Sequence, residues 1–192
     1  MSFAVIGVNH KNCPAPVRER VTFTQSKVLE GLNELKNQGI EEVVILSTCN
    51  RSEIYIEDSE IETAVQKVIA FYKAYFIRNQ EDKGKQSEDE RCLQDYLFVE
   101  RDEAAIRHLF RVAIGLDSIV LGEDQILGQV KKAHSDAMEQ SASGKVLNKI
   151  FREAISLGKK VKHKVKISEH PLSISHIAIK FLKQKQGILY LI

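Results

Sequence analysis

The stretch Ser47-Thr-Cys-Asn-Arg-Ser-Glu-Ile-Tyr55 lies where two different hydrophobicity patterns meet. Residues 43–46, just before it, are uniformly apolar, which is typical of a strand committed to the core. Residues 53–57 alternate between polar and apolar types, which indicates a strand with one face exposed to water. The sequence therefore predicts a β-hairpin with Cys49 at its tip.

A thiol at the end of two strands is held by rigid structure and can still meet a ligand. Arg51, two residues further on, would favour the thiolate and offers donors that match a carboxylate. This spacing fits a cysteine nucleophile beside an anion-binding arginine. It also fits a half-buried, inert cysteine beside an arginine that faces solvent.

Composition limits the possible functions of the 192-residue chain. Its net charge of only +2 means that any contact with nucleic acid must come from a local patch. Its three cysteines, Cys13, Cys49 and Cys92, fit neither a disulfide framework nor a C-x-x-C zinc site, so no metal site is predicted. Without a signal-peptide pattern or an apolar run of about 18 residues, the chain is expected to be cytoplasmic, with reduced thiols and no membrane contact.

The first hundred residues read as strand, helix, strand, strand, helix, strand. Strands are predicted at residues 3–8, 42–55 (the hairpin) and 93–99, with helices at 24–38 and 60–75. Residues 11–16 contain two prolines and are expected to be extended rather than helical, and residues 78–91 are expected to form a mobile loop. This order predicts an α+β fold, the ferredoxin-like split βαβ sandwich, with helices on one face of an antiparallel sheet.

From Asp102 onward the pattern is helical. Asp102 is expected to cap a helix that ends at Gly115, and further helices are predicted from about Gly122 to 138, at 145–164 and at 173–186. An apolar pentapeptide at 188–192 resembles a buried parallel strand. We therefore predict a ferredoxin-like subdomain at 1–100, a helical bundle at 101–168, and the start of a further unit at 169–192.

Several polar groups in both halves allow two interpretations. The cluster Arg18-Glu19-Arg20 either closes over a site or is a solvated turn, and Cys13-Pro14 is either a haem-responsive pair or a plain loop. His108 lies at the margin of an apolar stripe, where it either reaches a cleft or is structural. Gln125 and Gln129 share a helix face, which suits a polar ligand or an ordinary wet surface. The outer face of the 145–164 helix and its end suits either a phosphate backbone or solvent, and its basic residues are Lys145, Lys149, Arg152, Lys159, Lys160, Lys162, Lys164 and Lys166.

Three motifs together closely resemble the glutamyl-tRNA reductase family. They are the Ser47-to-Tyr55 stretch, His108-Leu-Phe-Arg-Val-Ala113, and Gly115-Leu-Asp-Ser-Ile-Val-Leu-Gly-Glu-Asp-Gln-Ile-Leu-Gly-Gln-Val130. The resemblance implies the first committed step of tetrapyrrole (porphyrin and haem) synthesis. In that reaction a cysteine attacks the ester that joins glutamate to tRNA, and NADPH then reduces the thioester to glutamate-1-semialdehyde.

The same resemblance implies the roles of individual residues. Cys49 matches the nucleophile, and Thr48, Asn50 and Arg51 match contacts to the glutamyl group, with Arg51 on its side-chain carboxylate. His108 matches a histidine important for activity, either as proton donor or as positioning group. The remaining residues that the family places around this pocket are Ser118, Glu123, Asp124, Gln125 and Gln129.

The chain departs from the family in two places. The family commonly has proline where Asp124 stands. It also continues from a strand like 188–192 into a glycine-rich dinucleotide-binding turn and a C-terminal domain that forms homodimers, and neither is found here. We therefore expect the NADPH site to lie outside this chain, which alone would form the thioester without reducing it and act as a slow glutamyl-tRNA esterase. The alternative is a non-catalytic relative that binds tRNA or senses haem.

Overall fold

The computed structural model describes residues 2–79, 93–119 and 125–165, and its elements follow the predicted order closely. Within these ranges, no helix combines the length and the hydrophobicity required to cross a lipid bilayer. The elements are β1 (Phe3–Asn9), α1 (Ala15–Arg20), α2 (Gln25–Asn37), β2 (Glu42–Ser47), β3 (Arg51–Glu57), α3 (Ile61–Arg78), β4 (Phe98–Arg101), α4 (Asp102–Ala113), α5 (Gln125–Glu139) and α6 (Lys145–Val165).

The four strands form one sheet in the order β2-β3-β1-β4, and every neighbouring pair is antiparallel. Strands β2 and β3 form the predicted hairpin, whose last paired residues are Ser47 and Ser52. On the other side of β3, Asn9 of β1 pairs with Arg51. The predicted α+β fold class, with its ferredoxin-like strand order, is confirmed.

Helices α2 and α3 pack on one face of the sheet, as predicted. Gly31 of α2 leaves room for Ile45 and Phe71, since a Cβ there would lie 3.1 Å from a side-chain atom of each. Ser52 projects toward the same layer, where its hydroxyl donates to the Val21 carbonyl and lies 3.3 Å from the Tyr72 hydroxyl. This layer therefore buries the alternate residues of β3 that begin with Ser52.

The later helices cover the opposite face of the sheet. Tyr55 of β3 meets Phe151 of α6 edge-on, with the ring centroids 5.3 Å apart. Glu42 of β2 accepts hydrogen bonds from the Val146 and Leu147 amides at 3.1 and 2.7 Å, so its carboxylate pairs with amides of the first turn of α6, which have no partner within the helix. The prediction that β3 has one face in water is wrong, because residues 51–56 are all buried.

Three local predictions are also wrong. Residues 11–16 were expected to be extended, but residues 15 and 16 begin α1, because proline is compatible with the first turn of a helix, where its missing N–H is not needed. Residues 93–96 are helical and the strand begins only at Phe98, an ambiguity typical of short apolar runs. Asp102 does not cap α4, since the N-cap is Arg101 and the Asp102 carboxylate accepts from the Phe3 amide at 3.3 Å.

Glycines end two of the helices where the sequence predicted helix stops. Gly39 and Gly115 follow α2 and α4 with φ angles of 83° and 81°, a conformation that residues with a Cβ rarely adopt. Gly128, in contrast, lies inside α5. The predictions for most of the 78–91 loop, for Gly122, for the 173–186 helix and for the 188–192 strand lie outside the described residues. The division of the chain at residues 100 and 168 stays a prediction.

Candidate active site

Cys49 lies at the tip of the β2–β3 hairpin and its side chain is exposed. We call residues 48–51 the Cys49 turn. The Thr48 amide donates to the Arg51 carbonyl at 2.8 Å, and the Thr48 hydroxyl accepts from the Asn50 and Arg51 amides, both at 3.1 Å. The Thr48 hydroxyl thus shapes the turn from inside, in the manner common for threonine in tight turns.

Arg18 of α1 holds the Cys49 turn from the side. Its Nε donates to the Cys49 carbonyl at 3.0 Å and its Nη1 donates to the Cys13 carbonyl at 2.7 Å. The Arg18 side chain is buried, so these hydrogen bonds are shielded from water. The sequence left open whether the Arg18-Glu19-Arg20 cluster closes over a site or is a solvated turn, and the structure shows that Arg18 reaches across to Cys49.

His10 adjoins the same turn, because its amide donates to the Asn50 carbonyl at 2.9 Å. Burial and the nearby charges of Arg51, Lys11 and Arg18 lower the pKa of His10 below its usual value, which keeps the imidazole neutral at pH 7. Its Nδ1 atom is buried and has no hydrogen-bond partner among the described residues. The thiol therefore has a neutral imidazole and a buried guanidinium as neighbours of its turn.

Arg51 does not face solvent, and only 1% of its surface is exposed. Its Nη1 donates to Glu53 Oε1 at 2.8 Å, and its Nη2 donates to the Asp117 carbonyl at 2.7 Å. The Asp117 bond ties the Cys49 turn to the loop after α4, which continues directly into Ser118. The structure thus brings together two parts of the chain that the family resemblance placed in one pocket.

Asp117 anchors this loop to two further cations. Its carboxylate accepts from Lys11, and from Arg111 Nε and Nη2 at 3.1 Å each. Burial opposes the charge on Asp117, but the hydrogen bonds from Arg111 and Lys11 outweigh it and lower the pKa of Asp117 to about 2. The Lys11 and Arg111 side chains are half exposed, so positive charge surrounds the loop at the surface.

Glu53 is the fully buried centre of the site. It receives hydrogen bonds from Arg51, from Tyr55 Oη at 2.6 Å on Oε2, and it lies 3.0 Å from His108 Nε2 through Oε1. Gly7 pairs with Glu53 across the sheet, and a Cβ at Gly7 would lie 2.8 Å from Glu53 Cα. The sequence did contain a signal for this cluster, since Arg51, Glu53 and Tyr55 alternate along a strand and so share a face.

His108 of α4 is largely buried, with 15% of its side chain exposed, and its ring lies 5.2 Å from that of Phe98. The prediction that it sits at the margin of the helix stripe fits this position. It borders an open cleft of about 510 Å³. The other residues that line this cleft are Glu100, Glu103, Ala104, Arg107 and Arg111.

The remaining predicted pocket residues are less closely joined to the Cys49 turn. Gln125 is exposed at the start of α5, and Gln129 is half-buried beside a small cavity that also contacts Ser47. Ser118 is half-buried in the loop after α4. The predicted pocket residues Glu123 and Asp124 lie outside the described residues.

Other groups that the sequence singled out can also be placed. The Cys13 side chain is 3% exposed, so the structure does not favour the haem-responsive interpretation of Cys13-Pro14. Among residues 2–79, 93–119 and 125–165, no group of three His, Cys, Asp or Glu side chains is placed to bind a metal ion. On α6, Lys145, Lys149, Arg152, Lys159, Lys160 and Lys164 are exposed and Lys162 is half-buried, while Lys166 is not described.

The described residues do not fit a dinucleotide cofactor. Such a cofactor binds where a parallel strand runs through a glycine-rich turn into a helix. The sheet here is antiparallel throughout, and no two glycines in the sequence have the Gly-x-Gly spacing.

The fold and the Cys49 turn define a class: α+β domains that present a free thiol at a hairpin tip, backed by a buried arginine and glutamate. Comparison with known proteins shows to which family within this class the chain belongs. Residues 6–165 match the family model described as glutamyl-tRNAGlu reductase, N-terminal domain. The chain belongs to this family, and the family resemblance predicted from its motifs is confirmed.

Individual relatives agree with the family match. The glutamyl-tRNA reductase of Clostridium novyi is 47% identical over 189 residues, which are 98% of this chain and 43% of that protein. That of Heliobacterium mobile is 40% identical, over 97% of this chain and 40% of its own length. The solved glutamyl-tRNA reductase from Methanopyrus kandleri matches with a TM-score of 0.70 and 28% identity, over 95% of this chain and 39% of its own. The chain thus spans about two fifths of these relatives' length.

Proposed function

We propose that this chain catalyses the first half of glutamyl-tRNA reduction, within tetrapyrrole biosynthesis. Cys49 Sγ attacks the carbonyl carbon of the ester that links glutamate to the 3′ end of tRNA. The S–C bond forms as the C–O bond to the tRNA breaks, and the proton lost by the thiol ends on the departing ribose oxygen. The observation that carries this proposal is the exposed thiol of Cys49 on a turn fixed by surrounding hydrogen bonds, in a chain of this family.

Arg51 is proposed to bind the side-chain carboxylate of the glutamyl group. In the structure its guanidinium is closed off by Glu53 and by the Asp117 carbonyl. A substrate carboxylate would therefore take the place of the Asp117 carbonyl on Nη2, which exchanges a neutral acceptor for a charged one. Thr48, Asn50 and the pocket residues Ser118, Glu123, Asp124, Gln125 and Gln129 are proposed to surround the same glutamyl group.

For the whole protein, we propose that NADPH reduces the thioester to glutamate-1-semialdehyde. The NADPH site and the homodimer contacts are proposed to lie in the three fifths of the relatives that this chain does not match. The chain by itself would then form the thioester and lose it slowly to water. A cytoplasmic location suits this chemistry, because the nucleophile must stay reduced.

The basic face of α6 is proposed to contact the tRNA. Lys145, Lys149, Arg152 and Lys159 recur at helical spacing and are all exposed, so they form a stripe along α6. A phosphate backbone is the partner that best matches such a stripe. A non-catalytic tRNA-binding relative would use the same stripe, and it is the second candidate function.

The test measures glutamate release from glutamyl-tRNA by the 192-residue chain and its variants. The unchanged chain is expected to release free glutamate and to carry a glutamyl adduct on Cys49 that mass spectrometry detects. Cys49→Ser should lose both signals. Cys13→Ser is the matched control, because that cysteine is buried and lies outside the proposed chemistry, and it should behave like the unchanged chain.

Equal glutamate release by the unchanged chain and a folded Cys49→Ser variant would refute the nucleophile. Thiol alkylation at neutral pH separates the two candidate functions without tRNA. Rapid, selective labelling of Cys49 supports the enzyme. Labelling of Cys49 no faster than that of a small-molecule thiol supports the non-catalytic module.

A further inference from the structure

Glu53 collects three neighbouring polar groups although it has no exposed surface. Arg51 and Tyr55 donate hydrogen bonds to it, and His108 Nε2 lies at hydrogen-bond distance from Oε1. Arg51 and Tyr55 belong to β3 itself, whereas His108 belongs to α4, which packs against the sheet. A buried carboxylate that receives this many hydrogen bonds is held rigidly in one position.

Glu53 is ionised in this setting. Burial opposes its charge, but Arg51, His108 and Tyr55 outweigh burial and lower the pKa of Glu53 below its usual value. Burial and the same carboxylate raise the pKa of Tyr55, so the phenol keeps its proton and remains a donor. An ionised carboxylate can only accept hydrogen bonds, so the proton in the contact with His108 belongs to Nε2.

We infer that Glu53 is a positioning residue that fixes His108 in the Nε2–H tautomer, which leaves Nδ1 as the only ring nitrogen of His108 that can accept a proton. Within the described residues, Nδ1 of His108 has no hydrogen-bond partner, whereas Nε2 faces Glu53. This inference rests on the proposed function and deepens it, because it decides which atom of His108 is available. It assigns a role to Glu53, a residue outside the pocket implied by the family resemblance.

The experiment reads the tautomer directly by 15N NMR of the histidine rings in the 192-residue chain. The signal of His108 is identified by its loss in His108→Asn. At a pH where the imidazole is neutral, the unchanged chain should show protonated Nε2 and unprotonated Nδ1. In Glu53→Met no oxygen remains to accept from Nε2–H, so both tautomers should appear. Glutamate release should then fall on the order of 10²-fold, the lower end of what a positioned acid–base group contributes.

Tyr55→Phe is the matched control. It removes one donor to Glu53 but leaves the carboxylate and its contact with His108, so the Nε2–H tautomer should persist and most of the rate should remain. Protonated Nδ1 in the unchanged chain would overturn the inference even if Glu53→Met did not fold. An unchanged tautomer and rate in a folded Glu53→Met variant would overturn it as well. A pure Nε2–H tautomer in a chain that releases no glutamate would instead contradict the proposed function alone.

Discussion

Arg18 shows how one buried side chain controls the position of the proposed nucleophile. The guanidinium bridges two main-chain carbonyls, one of Cys49 and one of Cys13. Lysine keeps the charge but carries a single ammonium on a flexible stem, which cannot reproduce this fork. Arg18→Lys should therefore release the Cys49 turn on one side.

We expect Arg18→Lys to lower the free energy of unfolding by about 1–3 kcal/mol, because one buried carbonyl loses its partner. Glutamate release should fall by up to about 10²-fold, the effect of a small misplacement of a reacting group. Urea unfolding and the glutamate assay measure the two effects. Arg78→Lys is the control, since Arg78 is exposed and pairs with Glu34 at the surface. Unchanged values for both variants would contradict the role of Arg18.

At the scale of single residues, the sequence predicted positions better than environments. The change from the uniformly apolar run at 43–46 to the alternating run at 53–57 was enough to place Cys49 at the hairpin tip, where the structure has it. It could not predict that Arg51 and Glu53 are buried, because a polar residue in an alternating strand normally faces water. The charges compensate each other across the strand and with α4, and that compensation depends on contacts far apart in the sequence.

Among the helices, close packing around Gly158 of α6 connects the bundle to the site. A Cβ at Gly158 would lie 2.8 Å from Leu127 Cδ1 and 3.0 Å from the Ala113 carbonyl. Ala113 is the last residue of α4, directly before the loop that carries Asp117. The absence of a side chain at Gly158 therefore allows α6 to approach the end of α4 closely.

Two glycine-to-alanine variants should have opposite effects. Gly158→Ala should lower the free energy of unfolding by about 1–3 kcal/mol, the usual effect of overpacking. Gly128→Ala, in α5, should raise it by about 0.5–1 kcal/mol, since alanine favours helix and no described atom lies within 4 Å of the new Cβ. Urea unfolding of both variants checks this, and stabilisation by Gly158→Ala would contradict the packing argument.

The elements that the sequence predicted well are those with a long, regular period. Helices α2, α3 and α6 extend over three turns or more, and their apolar stripes are buried as expected. Helix α1 has only six residues, too few to show a helical period, so Pro16 and the N-cap residue Pro14 dominated the prediction. The helical residues 93–96 were missed for the same reason, since four residues cannot distinguish helix from strand.

At the scale of the whole molecule, the exposed basic stripe of α6 is the candidate surface for tRNA. The exposed stripe of α6 lies on one side of the sheet, whereas α2 packs on the other. If the stripe binds tRNA, the affinity should fall with salt, and each lost phosphate contact should reduce the slope of log K against log salt by about 0.7–0.9. Lys149→Ala combined with Arg152→Ala should therefore reduce this slope by roughly two contacts.

Titration of tRNA binding at several salt concentrations measures this slope. The control is Lys27→Ala, which removes an exposed positive charge from α2 and should leave the slope as it is. An equal slope in the double variant and the unchanged chain would show that the tRNA backbone lies elsewhere.

The overall topology was predictable because the order of helices and strands allows few compact arrangements. What the sequence could not predict is that the helical second half covers the second face of the sheet. That packing rests on contacts such as Glu42 with the start of α6, which join residues about a hundred positions apart. The buried charge cluster around Glu53 exists only because this second layer is in place.

The contacts that hold the tip of the hairpin have a practical consequence for protein engineering. Arg18 and His10 hold residues 49 and 50 by their main-chain carbonyls, which every amino acid possesses. The turn should therefore tolerate different side chains at position 49. Serine, alanine or selenocysteine can replace Cys49 without a shift of the surrounding backbone. A series of such replacements would compare nucleophiles in one fixed scaffold, and an inert member of the series would be suited to trapping the intact aminoacyl ester for crystallography.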